Sequence, residues 1–226
     1  MSLNNVDLKK LSLLSSIILG DGHITPRGSI SLHHSVIQES YAQYKAEFLN
    51  KNFGLTYKKN IQKLVENTKS FSTNDSIKYF FHVKNITKEL RSYCYIGNEK
   101  NINKDLIEAY EGLHWSFIFQ DDGRTNKVSH YNTITDNKRV RVNCEPFVNR
   151  YEICLGFPSE DMLNALINNL LKYNIESWIL TRKDGQKNIA ISRAQSKINF
   201  YNLIKDYVHP SMNYKINIKP TLNYSE

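Results

Sequence analysis

Cysteine is scarce in this chain. Cys94, Cys144 and Cys154 are the three present, an odd number with no CxxC spacing. That argues against a disulfide framework and against a cysteine-built zinc site, and a reducing compartment is the expectation. Long apolar runs are also missing. The densest, Leu11 to Leu19, is broken by three serines and falls far short of the ~20 residues that cross a bilayer. The opening MSLNNVDLKK has no apolar stretch behind a basic start, so no cleavable secretory signal of that kind is expected. Acidic side chains are in deficit: 22 Asp and Glu against 30 Lys and Arg leave a net charge of +8 in 226 residues. A chain with a pI near 9.2 attracts polyanions. What is abundant is core material. With 40% apolar and 12% aromatic residues, a disordered chain is excluded. The 26 asparagines, with abundant Lys, Ile and Tyr, suggest an AT-rich coding sequence, as in an organelle, a phage or an AT-rich bacterium. The expected setting is intracellular, with the mitochondrion or another organelle among the candidates.

An internal repeat organises the chain. Leu14-Ser-Ser-Ile-Ile-Leu-Gly-Asp21-Gly22 and Trp115-Ser-Phe-Ile-Phe-Gln-Asp-Asp122-Gly123 are apolar, helix-compatible runs that both stop at Asp-Gly. The aspartates are 122 − 21 = 101 residues apart, close to half the chain. Strand-like runs follow each: His23–Thr25 and Ser29–His34 around a Pro26-Arg27-Gly28 turn, then Arg124–Thr135 and Lys138–Asn143. Amphipathic helices come next. Glu39–Phe53 has Gly54 as its stop, and Ser159–Tyr173 has Ser159 as its cap with acids behind it. Two more strand pairs, Leu55–Glu66 with Ser70–Val83 and Ile175–Arg182 with Lys187–Arg193, precede helices near Thr87–Tyr95 and Ala194–Tyr207. The second pair is joined by Lys183-Asp184-Gly185-Gln186, a hairpin signal. The expected fold class is α+β: two pseudo-symmetric αββαββα halves, residues 1–100 and 101–226.

A helix ending in Asp-Gly is ordinarily just a capped helix. Two at half-chain spacing ask for more. The last carbonyls of a helix carry partial negative charge, and an Asp there adds a full one. That is unfavourable unless a cation is near. Two such ends brought together would form an all-oxygen site suited to Mg²⁺ rather than Zn²⁺, and two cations bridged by two carboxylates suit in-line phosphodiester hydrolysis. Ser15, Ser16 and Ser116 are small enough to let helices approach, while Trp115, Phe117 and Phe119 are expected to pack into the core. The glycines are expected to close the helices in the left-handed conformation. Lys100 and Lys215, each in a polar loop after a helix, are candidates to stabilise charge on a phosphate. His33 and His34, adjacent in a strand, face opposite sides, so one core and one surface histidine are expected rather than a metal pair.

These residues resemble the LAGLIDADG homing endonuclease family, in its single-chain, double-motif, intron-encoded subgroup. LSSIILGDG (Leu14–Gly22), WSFIFQDDG (Trp115–Gly123) and the tail FYNLIKDYVHPSMNYKI (Phe200–Ile216) carry the resemblance, which covers roughly Leu8 to Leu222. It implies N-terminal and C-terminal half-domains packed through the motif helices, with two antiparallel sheets forming a saddle over the DNA major groove. It implies Asp21 and Asp122 as catalytic, metal-binding acids, with the Gly20 and Asp121 carbonyls completing the metal shell. It makes Lys100 and Lys215 the active-site lysines and Mg²⁺ the cofactor, Mn²⁺ or Ca²⁺ substituting for binding. The implied activity is site-specific cleavage of double-stranded DNA by a monomer with no membrane attachment. Phe117 replaces the usual small residue in the second motif, and the first motif has Leu19-Gly20 where a second acid often stands. A second reading is an RNA-binding intron maturase on the same fold; retention of both acids and both lysines favours cleavage.

Strands laid in a major groove send every second side chain to the bases. The DNA-facing set is expected to draw on Arg27, Ser29, Ser31, Lys58, Gln62, Lys78 and His82 in the first half. In the second it draws on Arg124, Asn126, Lys138, Arg139, Arg141, Arg182, Lys183, Lys187 and Arg193. If Arg139 or Arg141 reads a base, its change to Ala weakens specific binding by ~1–3 kcal/mol in a titration against the cognate site. An equal loss on every sequence would mark a phosphate contact instead.

Overall fold

The computed structural model describes residues 5–63, 75–135 and 138–220, with side chains described for 8–63, 75–130 and 143–220. The chain forms two compact units, Met1–Ala109 with His209–Met212, and Tyr110–Val208 with Asn213–Glu226.

The first unit runs α1 (Asn5–Leu19), β1 (Gly22–Ile24), β2 (Ile30–Ser35), a short 3-10 helix (Val36–Gln38), α2 (Glu39–Phe53), β3 (Tyr57–Gln62), β4 (Ser76–Phe81), α3 (Asn85–Cys94), β5 (Tyr95–Ile96), β6 (Glu99–Lys100) and α4 (Lys104–Glu108). The four longer-range strands make an antiparallel sheet in the order β1-β2-β4-β3. Alternation explains its two faces. Ile77, Tyr79 and Phe81 of β4 are buried, as are Ile30, Leu32 and His34 of β2, while Lys78, Phe80, Ser31 and His33 point the other way. Helix α2 buries Tyr41, Ala42, Lys45, Ala46 and Leu49, a stripe at helical spacing. It ends at Gly54 with φ 62°, whose N–H donates to Asn50 O at 2.7 Å, as the glycine signal predicts. His209 joins this unit from the far end of the chain, its ring 5.1 Å from Tyr44 and 6.0 Å from Tyr41.

The second unit repeats the plan: α5 (Gly112–Asp122), β7 (Gly123–Thr135), β8 (Lys138–Cys154), α6 (Glu160–Leu171), β9 (Trp178–Thr181), β10 (Lys187–Ile191) and α7 (Ala194–Ile204), then 3-10 turns Lys205–Tyr207 and Pro210–Lys215. Its sheet order, β7-β8-β10-β9, is that of the first unit. Ser159 caps α6 by accepting from Met162 N at 3.2 Å. Trp115, Phe117 and Phe119 are fully buried. Trp115 Nε1 donates to Asn169 Oδ1 at 2.8 Å, and Phe119 stacks edge-on to Tyr151 and Phe200. The buried serines are satisfied inside their own helices. Ser15 Oγ donates to Ser12 O and Ser16 Oγ to Leu13 O, while Ser116 Oγ accepts from Gln120 Nε2.

Three features differ from the sequence-based expectation. Helix α4 belongs with the first unit, packed on α1, so the units part at Ala109 and Tyr110 rather than after residue 100. Strand β8 continues past Asn143 to Cys154. Pro146 would ordinarily stop it, but the ladder is irregular there, pairing His130 with Asn143 and Val128 with Phe147, so the missing N–H leaves a bulge rather than a break. The glycines after the motif helices are not left-handed. Gly22 is absent from the positive-φ residues and Gly123 is extended at φ −82°, ψ 150°. Their requirement is space: a Cβ on Gly22 would lie 2.6 Å from Ile17 O, and one on Gly123 would lie 2.1 Å from Phe119 Cδ2 and 2.4 Å from Phe119 O. Gly123→Ala therefore forces the strand off the helix end. Its expected cost is about 3 kcal/mol, the upper end for overpacking because one clash is with backbone. Urea unfolding of the variant beside the wild type measures it.

Candidate active site and nucleic-acid interface

Each motif helix delivers an aspartate just where its backbone runs out of partners. In the first unit Gly20 and Asp21 follow α1, and the Asp21 side chain is 34% exposed. Lys100 meets this helix end. It is held there by the β5–β6 hairpin, which turns at Gly97 with φ 62°. Arg91 fastens the hairpin: its guanidinium lies 4.5 Å from the Tyr95 ring centroid and donates to Ile24 O at 2.5 Å and Gly97 O at 2.9 Å. Lys100 Nζ then donates to Gly20 O at 2.6 Å. In the second unit the Pro210–Lys215 turn does the same work. Lys215 Nζ donates to the carbonyls of Gln120 at 2.6 Å, Asp121 at 3.1 Å and Phe119 at 3.3 Å. Thr125 Oγ1 fixes the turn by donating to Lys215 O. An ammonium thus sits on the negative end of each motif helix, beside the acid. Both lysines were expected in loops; one stands on a short strand and the other closes a 3-10 turn.

Behind Asp21 stands a group that periodicity alone did not assign. Of the two histidines, His33 is exposed and His34 is buried, as strand alternation predicts. His34 Nδ1 lies 3.3 Å from Asp21 Oδ2. Its Nε2 lies 3.5 Å from Nζ of Lys45, a lysine with no exposed surface whose ammonium is 5.2 Å from the Tyr41 ring centroid. An ammonium only donates, so Nε2 is the acceptor and the ring proton rests on Nδ1, facing the acid. Lys45 had a visible signal: it occupies the apolar stripe of α2, where a charge calls for a partner.

The helix-free faces of the sheets carry the polar side chains. On the first, cross-strand register places Ser31, His33, Lys78, Lys58, Asn60 and Gln62 on one face. Ser31, Lys58, Gln62 and Lys78 were expected there; His33 and Asn60 were not named. Arg27 is exposed in the β1–β2 turn, Ser29 closes that turn, and His82 is exposed just beyond β4. On the second sheet Arg124 and Asn126 share the open face with Arg150 and Glu152, their cross-strand partners. Arg182 and Lys183 are exposed in the β9–β10 turn. Two residues are placed elsewhere. Lys187 follows the alternation of buried Ile189 and Ile191, on the side the helices cover. Arg193 lies beyond the strand at the start of α7, ion-paired with Glu176. The side chains of Lys138, Arg139 and Arg141 lie outside the described residues.

Electrostatics follow from these placements. Burial lowers the His23 pKa, and Lys100, Arg91 and Lys78 lower it further, so this imidazole stays neutral at physiological pH. Burial pushes the Cys94 thiol well above its ordinary range, which leaves it unreactive. The donor set at each motif end is a carboxylate and helix-terminal carbonyls, all oxygen, which fits Mg²⁺, Mn²⁺ or Ca²⁺. A carbonyl oxygen has two lone pairs, so acceptance from lysine leaves one for a cation.

The sequence pattern of the LAGLIDADG DNA endonuclease family matches residues 11–198. Among solved structures, the chain is similar to the homing endonuclease I-WcaI bound to its DNA recognition sequence. The TM-score is 0.68 at 20% identity, covering 97% of this chain and 89% of that one. It is similar to I-DmoI in complex with DNA and Ca, at TM-score 0.53 and 10% identity, over 95% and 100% of the two chains. It also resembles full-length DUF199/WhiA from Thermatoga maritima, at TM-score 0.51 and 15% identity, over 96% of this chain and 61% of that one. These likenesses establish the fold.

If the lysines neutralise the helix ends, their loss costs stability in proportion to the carbonyls they hold. Lys215→Met, which abandons three carbonyls, is expected to cost about 2 kcal/mol, and Lys100→Met, which abandons one, about 1 kcal/mol. Denaturant unfolding in EDTA compares them.

Proposed function

The chain belongs to the LAGLIDADG DNA endonuclease family, and on that premise we propose that it is a site-specific, divalent-metal-dependent endonuclease that cleaves double-stranded DNA as a monomer. The observation that carries this reading is the repeat of one assembly in both units: an aspartate at the C-terminal end of a helix, with a lysine donating to the carbonyls beside it. A structural cap needs no acid at the negative end of a helix; a cation site does.

Asp21 and Asp122 are assigned as the metal-holding carboxylates, with the Gly20 and Asp121 carbonyls as further oxygen donors. A divalent cation, Mg²⁺ in the working enzyme, supplies polarisation of the phosphodiester and activation of water when bound. The chain's own residues supply the rest. Lys100 and Lys215 neutralise the helix ends and stand ready to counter phosphate charge. The basic open faces of the sheets bind the duplex, with phosphate contacts setting position and base contacts setting sequence. Similar chains solved with DNA and Mg, or with DNA and Ca, support divalent metal use.

The test starts from selection of cleaved sites in a randomised DNA library in Mg²⁺. Asp21→Asn and Asp122→Asn should each abolish cleavage of the selected site while leaving binding intact in a gel-shift titration. Normal cutting by either variant overturns the assignment.

A further inference from the structure

The open face of the second sheet contains an ion cluster that no role described above explains. Glu152 of β8 has no exposed surface, yet it lies on the side away from α5 and α7: its neighbours Tyr151 and Ile153 are the residues that face the helices. Two arginines cover it. Arg124, directly across on β7, donates Nε to Glu152 Oε2 at 2.8 Å and Nη2 to the same oxygen. Arg150, two residues earlier on the same strand, donates Nε to Oε1. Asn188 Nδ2 adds a contact to Oε2 at 3.3 Å, while its buried Oδ1 has no partner among the described residues. Burial raises the Glu152 pKa, but the hydrogen bonds and charges of the two arginines outweigh it, and the net shift is downward.

A buried ion cluster is weak evidence for stability, because well-packed apolar residues serve a sheet as well or better. What this one achieves is order. Two long, flexible side chains are fixed on a surface that the sheet itself keeps rigid. The Glu152 contacts use Nε and Nη2 of Arg124 and Nε of Arg150, and no other acceptor among the described residues takes Nη1 of Arg124 or the Nη groups of Arg150, which leaves them for an acceptor outside the protein. An arginine presenting its terminal N–H groups in a fixed plane matches the O6 and N7 acceptors of guanine in the major groove.

We propose that Glu152 is a positioning residue that pre-orders Arg124 and Arg150 as a guanine-reading pair on the second sheet. This rests on the DNA-endonuclease reading above, and deepens it by naming which residues set specificity and for which base. Because the guanidinium groups are immobilised before DNA arrives, each good contact retains more of its strength.

The experiment is a binding selection from a randomised duplex library in Ca²⁺, with the full chain and its Glu152→Gln, Arg124→Lys and Arg150→Lys variants. The wild type should select guanine at two positions. Arg124→Lys and Arg150→Lys, which keep the charge but lose the planar fork, should each lower the guanine preference at one of them about tenfold or more. Glu152→Gln should flatten both together without reducing affinity for unrelated DNA, since it makes the face more positive. If the wild type enriches a defined site and all three variants return the same base profile, the guanine-reading pair is refuted while the endonuclease reading stands. If the wild type enriches no DNA sequence, both fall. Should Glu152→Gln fail to fold, Glu152→Asp, which keeps the charge but shortens the reach to both arginines, takes its place: it should weaken both guanine preferences, and an unchanged base profile refutes the positioning role.

Discussion

An aspartate beside the carbonyl end of a helix is an electrostatic fault, and this chain commits it twice. The helix already carries partial negative charge there, with several carbonyls short of donors. Much of the architecture reads as compensation. A two-residue hairpin clasped by Arg91 carries Lys100 to Gly20 O, and a 3-10 turn near the C-terminus carries Lys215 to three carbonyls. Both elements are too short to stabilise themselves, and each places an ammonium at a helix end. The lysines offset the helix ends but do not saturate the oxygens, which leaves the arrangement suited to binding a hard cation.

The two units solve the same topology with different interiors. Register aligns Gly22 with Leu32 and Gly123 with Ile153, so two residues further along the strands His34 in one unit answers to Leu155 in the other. Among the described residues, only the first unit places an imidazole backed by a fully buried lysine behind its acid. Among the described residues, only the second hides a glutamate beneath two arginines on the open face of its sheet. Buried charge is costly unless paired, and in both cases the partners are in place. Two halves alike in fold are thereby made unlike in polarity.

The pattern of elements was legible because local signals agreed with one another. Helix α2 runs over the span its apolar stripe and Gly54 stop imply, and α6 begins at its serine cap. The motif aspartates and both lysines stood out through the repeat, which weighs pairs of positions rather than single ones. What stayed hidden was tertiary. The strand expected to end at Asn143 runs on through Pro146 because an irregular pairing with β7 tolerates the missing N–H. Gly22 and Gly123 read as left-handed caps because the contacts that demand glycine there, Ile17 O and Phe119 filling the space of a Cβ, exist only once the chain has folded. Glu152 lies beyond the strand expected to end at Asn143, and its partner Arg124, 28 residues earlier, meets it only through the β7–β8 pairing. Lys187 and Arg193 read as groove-facing because composition says nothing of which way a strand is turned.

The residues His209–Met212 belong to the first compact unit although nearly the whole of the second precedes them in the chain. The imidazole packs by Tyr41 and Tyr44, and Met212 is 1% exposed. Synthesis on the ribosome is vectorial, and a leading domain ordinarily finishes folding before the next emerges. Here the leading body stays one patch short until residues 209–212 have been translated. The two halves are therefore not modules that can be cut apart at residue 109 and traded freely between proteins. A grafted first half would arrive without its final plug, and a second half would carry a stray segment seeking a vanished host.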